Sequence, residues 1–176
     1  MFSVCILFVH GQKNEEPDYS ILLKLKGSDY VVATVDNTEK IKAGKKCLLF
    51  IDTKTGAIEQ VDFMDGSVIE EVEHVKIDSL GVDKVVVIAR TASLTRKKTV
   101  RTDDPRQILI FSVDGKSRIQ LTIDKFFVKK WLVDAQTGNI LISGYYDLNM
   151  NRHYDEEDKN EILIYNLETL QLITKI

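Results

Sequence analysis

One stretch of twelve residues places oxygen-bearing side chains at a spacing that a metal could use. In Asp147-Leu148-Asn149-Met150-Asn151-Arg152-His153-Tyr154-Asp155-Glu156-Glu157-Asp158 they fall at loop positions 1, 3, 5, 9 and 12, with Tyr154 at position 8. A hard cation such as calcium takes about six to eight oxygens at roughly 2.3–2.6 Å, and a loop with this spacing wraps them round one point. Asp147, Asn149 and Asn151 would ligate through their side chains, and His153 through its backbone carbonyl rather than its ring. Asp155 would act directly or through water, and Asp158 would close the site.

This spacing resembles that of an EF-hand calcium loop. Three departures point to weak binding. Arg152 stands at position 6, where the sharp turn calls for Gly; a left-handed backbone at a non-Gly residue costs about 1 kcal/mol, and its guanidinium brings a positive charge towards the site. Asp158 is one methylene shorter than the usual bidentate Glu, and two of the first three ligands are neutral Asn. The expected affinity is nearer the ~10⁻⁴–10⁻³ M of extracellular modules than that of a cytosolic sensor. The same residues also read as a polar hairpin loop rich in turn formers, and both readings stand at the level of sequence. A second loop ends Asp103-Asp104-Pro105, with Asp104 placed as Asp158 is, four residues before an apolar run. Its upstream part, 91–102, lacks the ladder of oxygens, and ordinary turn chemistry accounts for it.

Catalytic signatures are scarce. The chain has no Gly-x-Ser-x-Gly elbow and no Gly-rich phosphate loop. Its carboxylates, among them Glu70, Glu71, Glu73, Asp155 and Asp158, leave a paired-carboxylate glycosidase open, but most carboxylates serve solvation. Lys and Arg total 24 against 27 Asp and Glu, and the only basic run is Arg96, Lys97, Lys98 and Arg101, so no nucleic-acid footprint is expected. No Cys/His group has zinc spacing. Cys47 precedes Leu48-Leu49-Phe50-Ile51 and is expected as a buried strand thiol.

Residues 1–12 read as the apolar core and end of a secretory signal, cut after Gly11 and lacking its basic leader. That implies a secreted or periplasmic protein. If the stretch is instead a strand of the fold, the protein is cytoplasmic. It is too short to span a bilayer, which needs about 20 apolar residues.

The elements that must carry the loop are read from an internal period. The runs starting at Val31, Val85 and Ile140 are 54 and 55 positions apart, and each is followed by a polar loop and a second run, Leu48–Asp52, Ile108–Ser112 and Ile162–Asn166. Tight turns then lead into strands alternating in part, such as Ile58, Val61 and Phe63. Gly56 and Gly115 suit hairpin turns, whereas Leu170 breaks that chemistry in the third copy. A further strand precedes each first run. The span Val68 to Val75 is the best helical candidate, but Ile77 downstream allows a long strand instead. The pattern predicts an all-β chain of three tandem four-stranded antiparallel meanders over 19–63, 68–123 and 126–176.

Such meanders resemble β-propeller blades, with TolB-type secreted propellers nearest, since loops of the form Asp-x-Asn-x-Asn with a later Asp recur between their strands. The resemblance covers nearly all of residues 19–176. Propellers have typically about four to eight blades, so three imply a partial ring. The chain's end at Ile176, inside an apolar strand, favours a fragment, and two copies forming a homodimer would supply six blades. The resemblance implies a non-catalytic secreted module binding a protein or glycan partner, with weak calcium in the loop 147–158. The alternative is a fragment of a propeller-containing hydrolase, peptidase or glycosidase, whose catalytic part lies outside this chain.

Overall fold

The computed structural model describes residues 18–36, 46–94, 99–149, 151–152 and 154–176. The signal-like segment 1–12 and His153 lie outside the described residues. Twelve strands appear in chain order: β1 (Asp18–Lys24), β2 (Tyr30–Asp36), β3 (Cys47–Asp52), β4 (Ile58–Asp62), β5 (Val68–Ile77), β6 (Val82–Arg90), β7 (Gln107–Phe111), β8 (Arg118–Gln120), β9 (Phe126–Asp134), β10 (Asn139–Tyr146), β11 (Lys159–Asn166) and β12 (Leu172–Lys175). They form three four-stranded sheets, β1 to β4, β5 to β8 and β9 to β12, each pairing neighbours in sequence. All pairings are antiparallel. The helical candidate over Val68 to Val75 is part of the strand β5; its β-branched residues favour a strand, and the ladder to β6 shifts register between Ile69 and Glu71.

The sheets stack face to face, and the second is the filling of the sandwich. Val85, Val87 and Ala89 on one face of β6 pack with Val32, Leu48 and Phe50 of the first sheet. Val86 and Ile88 on its other face pack with Ile140, Ile142 and Leu163 of the third. That is why β6 and β7 read as near-continuous apolar runs, and every residue of β7 is buried. The fourth strands, β8 and β12, are exposed at every position. At the opposite edge, β1 lies beside β5. There the Lys26 amide donates to His74 Nδ1 (2.9 Å), and His74 Nε2 meets Asp83 Oδ1 at 2.7 Å. Cys47 is buried as expected, and burial pushes its thiol pKa up.

The turns repeat one device. Asp52 Oδ1 accepts from the Lys54 and Thr55 amides, and the Gly56 amide bonds the Asp52 carbonyl (2.8 Å). Asp134 and Gly138 repeat it. Asn166 and Leu170 repeat it as well: the Thr169 amide bonds Asn166 Oδ1 and the Leu170 amide bonds the Asn166 carbonyl, both at 2.8 Å. Leu170 takes the left-handed backbone, φ 59°, that Gly56 takes at 73°. The third copy therefore keeps the turn that its residue type argued against. Leu170 packs against the core between the second and third sheets, and that burial offsets strain of about 1 kcal/mol.

Candidate functional site

The loop from Asp147 to Asp158 joins β10 to β11. Asp147 is buried at its root. Its Oδ1 accepts from the Asn151 amide (3.1 Å) and its Oδ2 from the Arg152 amide (2.8 Å). Arg152 has φ 67°, so position 6 makes the sharp left-handed turn despite its residue type. Its guanidinium does not enter the loop. It reaches Asp103 Oδ2 (2.8 Å), on the equivalent loop of the second sheet, and this holds the Asp103 carboxyl below its ordinary range. The backbone therefore folds back over Asp147, and the guanidinium, bonded to Asp103, still feels the Asp147 charge.

The remaining oxygens are drawn together in part. Asn149 and Asn151 both turn their side-chain amides to Asp155 Oδ2, and the bond from Asn149 heads the causes that hold the Asp155 carboxyl low. Asn149 Oδ1 accepts from the Asn151 amide (3.0 Å). Among the described residues, no three His, Cys, Asp or Glu side chains are gathered closely enough to hold a metal. A cation would need the Asn149 and Asn151 amides to rotate so that their carbonyls face inward. The donor set fits a hard cation in chemical type, all oxygen, and calcium tolerates flexible geometry.

Asp158 has a second role that spacing did not reveal. Its Oδ1 accepts from the Leu148 amide (3.1 Å) and its Oδ2 from the Asp155 amide (3.0 Å). In the second sheet, Asp104 accepts from the Leu94 amide (3.1 Å) and the Arg101 amide (2.8 Å). All three residues of one set stand 54 positions from their counterparts in the other. The same staple thus closes both loops, although only one carries the oxygen ladder. A signal was available in the shared offset of Asp104 and Asp158 from the following strand.

Between the two loops lies a cleft of about 300 Å³, lined in part by Arg90, Asp103, Arg106, Lys129, Tyr145 and Arg152. Its arginines are engaged. Glu70 bridges Arg90 and Arg106, Arg106 donates to the Val128 (2.8 Å) and Lys129 (3.0 Å) carbonyls of β9, and Arg90 Nε donates to the Asp104 carbonyl (3.1 Å). The bonds of Arg106 to β9 tie the second sheet to the third, and the others brace Arg90 and Arg106 within the second. Tyr145 stacks on Phe127 at 4.9 Å, and Lys129 sits 3.6 Å from the centre of the exposed Tyr154 ring.

Acid should loosen these loops. Asp103 and Asp155 both have carboxyl pKa values lowered in the fold, so their stabilisation is complete above the unfolded value of about 3.9 and is lost as pH falls through the folded values. Proton exchange at the Glu157 amide, which donates to Asp155, should speed up below about pH 4 relative to an unfolded chain at the same pH, followed by NMR, while β6 stays protected. Equal acceleration in β6 would show that the loops do not open on their own.

No family model matches the sequence, and no curated protein matches it. Solved structures do match the fold. The acylaminoacyl peptidase of Pyrococcus horikoshii is 11% identical, with a TM-score of 0.50, over 92% of this chain and 25% of its own. The β-propeller domain of the Trilobed protease from Pyrococcus furiosus, described as revealing an open velcro topology, is 12% identical, with a TM-score of 0.52, over 91% of this chain and 42% of its own. The fold is a partial β-propeller. Its three sheets are blades, and the chain spans a quarter to two-fifths of the length of the two proteins it matches. Among the described residues, no helix is long and apolar enough to cross a membrane.

Proposed function

We propose that this chain is a non-catalytic propeller module of the secreted, TolB-like kind, which binds a protein or glycan partner and takes a weakly held calcium ion in the loop 147–158. The observation that carries the metal reading is the left-handed turn at Arg152 over the buried Asp147 carboxylate, with the guanidinium turned out to Asp103. This is the sharp turn that a calcium loop of this spacing makes at its sixth position. Asp147, Asn149, Asn151, Asp155 and Asp158 would hold the ion, with the carbonyl of His153 as the sixth donor. Calcium would stiffen the loop; it has no reaction to serve.

Calcium at about 10 mM, some 10–100 times a Kd of ~10⁻⁴–10⁻³ M, should stabilise the fold by roughly 1.4–2.7 kcal/mol and raise its melting temperature by about 3–10 °C. Asn149→Ala and Asp147→Ala should abolish the rise. Asp158→Ala should also lower stability without calcium, because it removes the staple. No shift in the parent chain would sink the metal reading.

A second reading is that the arc comes from a propeller-containing hydrolase, peptidase or glycosidase. It draws on the two matched proteins being named as peptidases. It places the catalytic part outside this chain. Turnover of aminoacyl or glycosyl nitrophenyl substrates by the purified chain, abolished by a carboxylate substitution, would overturn both readings, since neither puts a catalytic centre in this chain.

A further inference from the structure

We propose that the outward face of the third blade is covered by the first blade of a second copy of this chain, so that two arcs close into a six-bladed ring. The inference rests on the fold and is independent of the calcium reading.

The argument starts from register. Across β9, β10 and β11, Leu132, Leu141 and Ile164 stand opposite one another, and Ser143 stands opposite Ile162. Ile162 in turn exchanges both backbone bonds with Ile176 (2.9 and 3.0 Å). Ile140, Ile142 and Leu163 face the second blade, so this alternate set faces away from it. Leu132 is 56% exposed, Ile162 38% and Ile176 73%.

The repeat states what belongs on that face. Leu141, Ile162 and Ile164 lie 55, 54 and 54 positions after Val86, Ile108 and Ile110. Those three residues of the second blade are fully buried, because the third blade sits on them. In the first blade the equivalent face, with Val32, Leu48 and Phe50, is covered by the second blade. One face of each of the first two blades therefore receives the next blade, and among the described residues nothing occupies the equivalent face of the third.

The same chain holds the matching surface. On the first blade Leu22 pairs with Ala33, Ala33 with Leu49, Val31 with Ile51, and Ile51 with Ile58. This set is opposite to Val32 and Phe50, and it corresponds to Val85 and Val87, which seat the second blade on the first. Leu22 and Ile58 are largely exposed, and Ala33 is buried. Blades with no exchanged strand can join this way by their faces alone, and each sheet here is made of consecutive strands.

Size agrees with the proposal. Four strands about 4.8 Å apart and five residues at about 3.3 Å make a face of roughly 300 Å². Such a contact buries both faces, and a two-fold ring uses it twice, for about 1,200 Å², the lower end of stable interfaces. Six blades lie within the range of about four to eight in which propellers close.

Sedimentation of the full chain over a hundredfold range of concentration tests the ring. The expected mass is twice that of the chain. Leu132→Glu, on the receiving face, and Ile58→Glu, on the inserting face, should each yield monomers with the circular dichroism of the parent. Because the ring pairs unlike faces, mixing the two variants leaves one contact whole and should restore part of the dimer. A monomeric parent would overturn the proposal and leave the face to another protein or to further blades. A dimer that survives Ile58→Glu but not Leu132→Glu would also overturn it, since that pattern belongs to two third blades packed face to face.

Discussion

Phe50→Ala should cost about 3–5 kcal/mol and lower the melting temperature by roughly 6–20 °C. Phe50 is fully buried, with its ring 5.5 Å from that of Phe111, in the contact between the first and second blades. A Cβ at Gly115 would lie 2.3 Å from the Phe50 ring, so the turn after β7 presses directly on it. Truncation opens a cavity in the core that the first two sheets share, and closing it would require a whole blade to move. The loss should fall unevenly. Amide exchange in β2 and β3 should rise towards the global rate, while β10 and β11, which belong to the other core, keep more protection. Urea unfolding with a loss below about 1 kcal/mol would mean that the blade is held by something other than this contact.

Asp104→Ala should be the most damaging of the loop substitutions, at about 2–4 kcal/mol. The carboxylate is 2% exposed and satisfies the amides of Leu94 and Arg101; each buried donor left without a partner costs about 1–3 kcal/mol. Its own carbonyl receives Arg90 Nε, so the lesion also reaches the ion pair of Arg90 with Glu70 inside the second blade. Asp104→Asn keeps one acceptor oxygen and should lose about half as much. Asp158→Ala removes the same pair of bonds from a more exposed loop, where water can replace them, and should cost less. Equal losses for Asp104→Ala and Asp158→Ala in urea titrations would overturn this ordering.

The comparison bears on function as well as stability. If Asp158 were only a metal ligand, its counterpart in the second blade would have no reason to make the same two bonds. The staple is shared and the oxygen ladder is confined to the third blade. The ladder, not the closing Asp, is therefore the feature that distinguishes the loop at Asp147, and Asn149 is the cleaner probe of metal binding.

Architecture was legible in the sequence because strands write their burial into residue order. A period of two marks a strand with one buried face, and a run such as Val85 to Ala89, apolar at each position, marks one buried on both. The 54-residue offset then fixed how many sheets there are and which runs correspond. Asp52 and Asp134 announced their turns because an Asp side chain caps the amides two and three residues on. Leu170 ran against the local rule: residue type alone counts the strain of a left-handed Leu but not the core against which it packs. The span Val68 to Val75 was ambiguous for a related reason, since short apolar patterns fit either period until a neighbouring strand supplies its hydrogen bonds. The path of the Arg152 guanidinium was beyond the sequence altogether. Its partner, Asp103, lies 49 positions earlier in another blade, and only the stacking of the two blades brings them together. The same holds for the arginine ties between β7 and β9 and for the open face of the third blade. Order along the chain sets which face of a strand is apolar; what comes to lie against that face is settled by the packing of sheets.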